Sequence, residues 1–174
     1  MATDTGQSVV SVLTYGAKGD GTTNDTAAIQ SAIDHAKTTG AQVFFPSGVY
    51  RVSQLTLRVG TILQGVSSGT YPDNNAIPGA SVLARLANSN KDVLLAPDGA
   101  NYCRIFDLAV DGNKNNNAKG HGLYVADGAA GQEGQIIVQR CYFHDSKSPC
   151  SPPARRTAGA TRTGNAIAGG SHGH

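Results

Sequence analysis

The sequence predicts an all-β solenoid, a parallel β-helix with one α-helix capping its N-terminal end. Three observations point there. Short β-prone runs follow one another from residue 42 to residue 143, each cut by turn residues. No helix-period segment lies between them, so the crossovers of a doubly wound sheet are missing and parallel strands must be stacked coil by coil. One amphipathic helical stretch precedes them all, where the open first coil of a solenoid needs cover.

Taken in order, residues 9–13 read as a short strand, and Gly16, Gly19 and Gly21 supply the tight turn after it. The helix is expected over residues 25–39, with the Asp25 carboxylate accepting from the first-turn N–H groups. Ala28, Ile29, Ala32, Ile33 and Ala36 recur at helical spacing, Lys37 suits the last turn, and Gly40 is placed to end the helix. The β-runs then fall at residues 43–45, 50–52, 61–64, 81–86, 93–95, 104–110, 122–125 and 136–143. Alternation through residues 104–111 puts Phe106, Leu108 and Val110 on an inward face and Asp107, Ala109 and Asp111 on an outward one. After Asp145 the pattern stops: residues 146–174 hold a single large apolar residue, Ile167. Residues 1–145 are therefore expected to be the truncated N-terminal part of a longer β-helix, and 146–174 a disordered or frame-shifted tail.

Composition narrows the function classes. Charged residues are only 15% of the 174, and the formal charge of +2 is misleading. Lys147, Arg155, Arg156 and Arg162 lie past residue 145 with no acid among them, which leaves a net −2 for residues 1–145. A nucleic-acid partner is disfavoured. No apolar run approaches membrane-spanning length, and Met1-Ala2-Thr3-Asp4 is too polar for the start of a signal peptide. Cys103, Cys141 and Cys150 lack metal-type spacing; the first two are expected as buried small hydrophobes.

The glycine-rich turn of residues 15–24, the short helix, and the strand pair Phe44-Phe45-Pro46-Ser47-Gly48-Val49-Tyr50 come in an unusual order. That order resembles the N-terminal opening of the pectate-lyase-like right-handed parallel β-helix superfamily. The group includes pectin and alginate lyases, polygalacturonase-like hydrolases, mannuronan C5-epimerases and phage tailspikes. The resemblance is strongest over residues 12–52 and continues through 101–145. It implies an acidic polysaccharide as partner, lying along the outer face of one sheet, Ca²⁺ as a cofactor, and an extracellular or virion-associated location. It implies a monomer if the protein is an enzyme and a trimer if it is tailspike-like.

Elimination or epimerisation at a uronic acid needs a cation to neutralise the carboxylate, a base for the C5 proton and an acid. Asp111-Gly112-Asn113 followed by Lys119-Gly120-His121-Gly122 is the candidate region. It is similar to the Asp-Gly-Asn turn of mannuronan C5-epimerases, where a Lys and, two residues on, an acid enter the groove. Lys119 matches that Lys, and His121 stands where the acid would be. Gly120-His121-Gly122 is also similar to an element of polygalacturonases, without the Asp pair that precedes it there. The resemblance thus makes Lys119 and His121 the catalytic candidates and Asp107, Asp111 and Asn113 the substrate-binding ones, with no metal ligand assigned. The plainer alternatives are a solvated loop lysine, a turn histidine and solvated strand carboxylates. Asp107 and Asp111, read as sharing a face, could grip Ca²⁺ or act as acid and base. His144 and Asp145, as strand neighbours, are expected to point apart. The Tyr/Asp/His/Glu segment that the epimerase likeness places next is not matched by Ser146-Lys147-Ser148-Pro149. The expected function is a fragment of a lyase or C5-epimerase of acidic glycans, inactive in this form. The alternative is a non-enzymatic tailspike-like or adhesin-like scaffold.

Overall fold

The computed structural model describes residues 8–69, 79–126 and 136–150, the last three by backbone alone. After β1 (Val9–Ser11) and β2 (Asp20–Asn24) comes the helix α1 (Thr26–Thr39). Strands β3 (Gln42–Phe45), β4 (Gly48–Val52) and β5 (Leu55–Thr56) make the first coil after it, and β6 (Ile62–Gly65), β7 (Ser81–Arg85) and β8 (Leu94–Ala96) the second. The third holds β9 (Cys103–Phe106), β10 (Ala109–Asp111) and β11 (His121–Val125). The fourth holds β12 (Ile136–Gln139), β13 (Tyr142–His144) and β14 (Ser148–Cys150).

Each sheet takes one strand from each coil. The orders are β1-β3-β6-β9-β12, then β2-β4-β7-β10-β13, then β5-β8-β11-β14. Every pairing is parallel and most are in register, as in Leu55↔Leu94↔Leu123 and Tyr50↔Leu83↔Val110 within the neighbouring coils. These are the stacked coils that the sequence predicts. Inward positions stack like on like: Val43, Leu63 and Ile105 on the first wall, Tyr50, Leu83 and Val110 on the second, all fully buried. Such aligned apolar stacks set the register, because a one-residue slip would turn every one of them outward.

The helix closes the first coil as expected. Ile29, Ala32, Ile33 and Ala36 are buried against a cluster that includes Val12, Val43 and Leu55. Gly40 ends it at φ +71, with its N–H on the Ala36 carbonyl. Polar clamps fix the cap's rotation: the Gln30 amide bonds both the N–H and the carbonyl of Thr56, and Asp34 accepts from Arg58 Nε at 2.7 Å.

Several local expectations are corrected. Asp25 does not cap the helix with its side chain; its buried carboxylate accepts from Lys18 N and Gly19 N at 2.7 and 3.0 Å. Asn24 Oδ1 takes the Thr26 N–H instead. Residues 9–13 are strand only to Ser11 and then a 3₁₀ turn, Val12–Tyr15. Residues 104–110 are not one strand. Asp107 lies at φ +54 and makes a corner, and Arg140 at φ +52 makes the equivalent corner one coil later. The left-handed residue restarts the side-chain alternation, so Phe106 lies on the outer face while Leu108 and Val110 point in. Asp107 and Asp111 consequently belong to a corner and to a different sheet, and share no face. The β-pattern also runs past Asp145, because β14 pairs with β11 through His121↔Ser148 and Leu123↔Cys150. The remainder of the tail, residues 151–174, lies outside the described residues. Cys103 and Cys141 are buried free thiols, pushed up to about 11 by burial.

Candidate functional site

The sharpest concentration of chemistry lies where the second wall turns into the third, on the loop between β10 and β11 and on the loop beneath it. Asparagines lace the two loops together. Asn117 Nδ2 donates to Leu86 O, its Oδ1 accepts from Asn90 N at 2.9 Å, and Asn90 Oδ1 accepts from Ala118 N at 2.7 Å. Asn88, Asn90 and Asn113 occupy positive φ, which their short polar side chains tolerate. Loops fixed this way can hold a side chain in place for a ligand.

Four of the five sequence-chosen residues meet here. Asp111 ends β10 and accepts from Asn113 N at 2.7 Å, and Asn113 Nδ2 donates to Arg85 O at 2.9 Å. Lys119 is exposed. His121 opens β11, with its ring 5.3 Å from that of Tyr124. Asp107 is elsewhere: at its corner it is gripped by Arg140 Nε and Nη2 at 2.6 and 2.7 Å and by Gln64 Nε2 at 2.7 Å. The Arg140 guanidinium holds the Asp107 carboxyl below the usual carboxylate range, which makes this a tie between coils and not a free acid.

Sequence reasoning missed three partners. Asp92 lies one coil below His121, and its Oδ1 accepts from both the backbone N and Nδ1 of His121, each at 2.8 Å. Arg85, last in β7, points into the coil interior and is fully buried, its Nη1 donating to Lys91 O and Lys119 O at 2.7 and 3.0 Å. Burial lowers the pKa of Arg85, against the opposing pull of Asp92 and Asp111. Gly120 is indispensable to this arrangement, since a Cβ there would run into Arg85 Nη1 and the Lys91 carbonyl. The one signal available was spacing: Asp92 precedes His121 by 29 residues, the same offset as Leu94 to Leu123. The third is a contact the sequence argued against. Asp145 at φ +47 turns back, so its carboxylate comes within 3.3 Å of His144 Nδ1.

Asp111, His144 and Asp145 bring ligand atoms within 4.8 Å of one another. This set does not suit the implied Ca²⁺, which takes six to eight oxygens (a roughly typical count) and not imidazole. Lys114 Nζ already sits 2.9 Å from Asp145 Oδ1. Burial works against ionisation of Asp145, but the bonds from Lys114 and His144 outweigh it and lower its pKa.

The outer faces differ in access. On the second sheet Ala80, Val82, Ala84 and Ala109 form a buried cluster at the middle of the outer face, with Val49, Arg51, Asp111 and Tyr142 partly exposed around it. On the third sheet Thr56, Leu95 and Tyr124 stand in lateral register and half-exposed, leading up to Lys119 and His121 at the sheet's entry edge.

Residues 9–96 match the family model described as rhamnogalacturonase A/epimerase, pectate lyase-like. Alginate lyase 7 of Azotobacter vinelandii is 31% identical over 163 residues, which cover 84% of this chain and 18% of that protein. The solved A-module of the mannuronan C-5 epimerase AlgE4 from the same organism superposes with a TM-score of 0.68 at 27% identity, covering 82% of this chain and 40% of the module. Tailspike protein 2 of the Escherichia coli O157:H7 bacteriophage CAB120 shares the fold at TM-score 0.60 and 17% identity, over 80% of this chain and 18% of that one. The chain thus spans less than half the length of each of these relatives.

Proposed function

The chain belongs to the pectate-lyase-like rhamnogalacturonase A/epimerase family, and on that premise we propose that it is a β-helix segment that binds an acidic glycan of the alginate or pectate type. The glycan lies across the outer face of the third sheet, with Lys119 neutralising a uronate carboxylate, His121 beside the sugar ring, and Asp111 and Asn113 shaping the loop. The observation that carries the reading is the exposed Lys119 beside the Asp92–His121 pair at the strand-entry end of an accessible sheet, within residues 1–145, which are mildly acidic as a whole. A cation fixed on a rigid loop is what recognition of a repeating carboxylate requires. Lyase or epimerase chemistry suits this set better than hydrolysis, which calls for two carboxylates flanking the bond. Turnover by the chain on its own is expected to be slight, since Ser146-Lys147-Ser148-Pro149 offers none of the acid–base groups that the epimerase likeness places there.

The test is calorimetric titration with short mannuronate and galacturonate oligomers, with and without Ca²⁺, alongside NMR of the sugars for unsaturated or epimerised products. Expected are binding that weakens as salt is added and a loss of about tenfold on Lys119→Ala, the size of one charge-assisted contact. Binding unchanged by Lys119→Ala, or brisk turnover in that variant, would overturn the assignment.

A further inference from the structure

The pairing of Asp92 with His121 specifies more than contact. One carboxylate oxygen, Asp92 Oδ1, takes both the backbone N–H of His121 and its ring Nδ1 at 2.8 Å. The two residues come from adjacent coils, with Val93 N bonded to His121 O immediately alongside. An ionised carboxylate only accepts, and a neutral imidazole carries a single N–H. In the neutral ring the proton must therefore be on Nδ1, and the lone pair on Nε2, across the ring from Asp92. The ring is partly open, with 28% of the His121 side chain and 21% of the Asp92 side chain exposed.

The backbone supporting this pair is unusually constrained. Arg85 Nη1 bridges the carbonyls of Lys91 and Lys119, the residues preceding Asp92 and Gly120. Gly120 lies at φ +110 against Arg85 Nη1 and the Lys91 carbonyl. The relative position of the two loops is thus held from inside the coil, next to the carboxylate and the imidazole.

We propose that Asp92 is a positioning residue that holds His121 in its Nδ1–H form, so that the third sheet's entry end presents Nε2 as an acceptor and base. Resting on the glycan reading above, this assigns a division of labour. Lys119 takes the uronate carboxylate, whereas Nε2 of neutral His121 takes a sugar hydroxyl or an acidic C–H, and repels a carboxylate. Asp92 touches no sugar and acts through the ring alone.

The proton's place can be read directly. Long-range ¹H–¹⁵N correlation of the ¹⁵N-labelled full chain, at a pH where His121 is neutral, is expected to show Nδ1 protonated and Nε2 bare. In Asp92→Ala the pattern should relax toward the tautomer mixture of a solvated imidazole, with the fold checked by circular dichroism. The mannuronate oligomer should then bind about tenfold more weakly, with Asp92→Glu recovering part of the loss. An Nε2–H tautomer in the unmodified chain would overturn the proposal, as would an unchanged tautomer in folded Asp92→Ala. Should Asp92→Ala fail to fold, the tautomer of the unmodified chain decides alone. A chain with the expected tautomer that binds no oligomer leaves the Asp92–His121 pairing standing and overturns the glycan reading instead.

Discussion

Arg85 and Gly120 form an interlocked pair whose fit can be probed at single atoms. A methyl group at Gly120 meets the Arg85 guanidinium and the Lys91 carbonyl, and its positive φ adds backbone strain. Gly120→Ala is expected to lower stability by about 1–3 kcal/mol, read from urea unfolding midpoints. Arg85→Ala strands two carbonyls but also removes a buried guanidinium whose Nε and Nη2 have no hydrogen-bond partner among the described residues; a net loss of about 1–3 kcal/mol is expected by the same measurement. Among single residues, the sequence made part of the candidate site legible. Lys119, His121, Asp111 and Asn113 are close in the chain and stay close in space. Asp92 was hidden because its meeting with His121 depends on coil length, which no local motif encodes. Asp107 was misplaced for the opposite reason: alternation was carried straight through a residue that adopts the left-handed conformation. Asp tolerates that geometry without advertising it.

Among the elements, the capping helix and the inter-coil ties account for order along the stack. The helix was legible because its five apolar positions keep one period for three turns, and Gly40 ends it. The role of Asp25 was not, because a buried carboxylate tying back to Lys18 and Gly19 looks in sequence like an ordinary N-cap. Asp25→Ala should strand those two N–H groups and cost about 1–3 kcal/mol, whereas an exposed cap would cost less. Calorimetric melting of Asp25→Ala against Asn24→Ala separates the two. The Asp107–Arg140 tie adds a pH signature. Its carboxyl is depressed in the folded state, so its stabilisation is complete above the ordinary carboxylate pKa and is lost as pH falls through the folded value. The melting temperature should therefore fall on acidification, and fall less steeply in Asp107→Asn.

For the whole molecule, the solenoid follows from aligned apolar stacks without intervening helices, which is why the architecture could be read while its corners could not. The three-residue β10 holds because it pairs with β7 on one side and β13 on the other, whereas the two-residue β5, at the edge of its sheet, pairs with β8 and is tied to the helix by Gln30. Among the described residues no helix is long and apolar enough to cross a membrane. If the outer face of the third sheet serves the proposed glycan, the chain is expected to sediment as a monomer; a trimer would favour the tailspike-like alternative. The proposed glycan site stands or falls on where an acidic sugar sits. ¹⁵N-resolved amide shifts, followed during titration with a mannuronate oligomer, address that most directly. The expected result is that perturbations cluster at Thr56, Leu95, residues 117–121 and Tyr124. Shifts confined to the outer face around Phe44, Gln64 and Phe106, or no saturable shifts with either mannuronate or galacturonate, would contradict it.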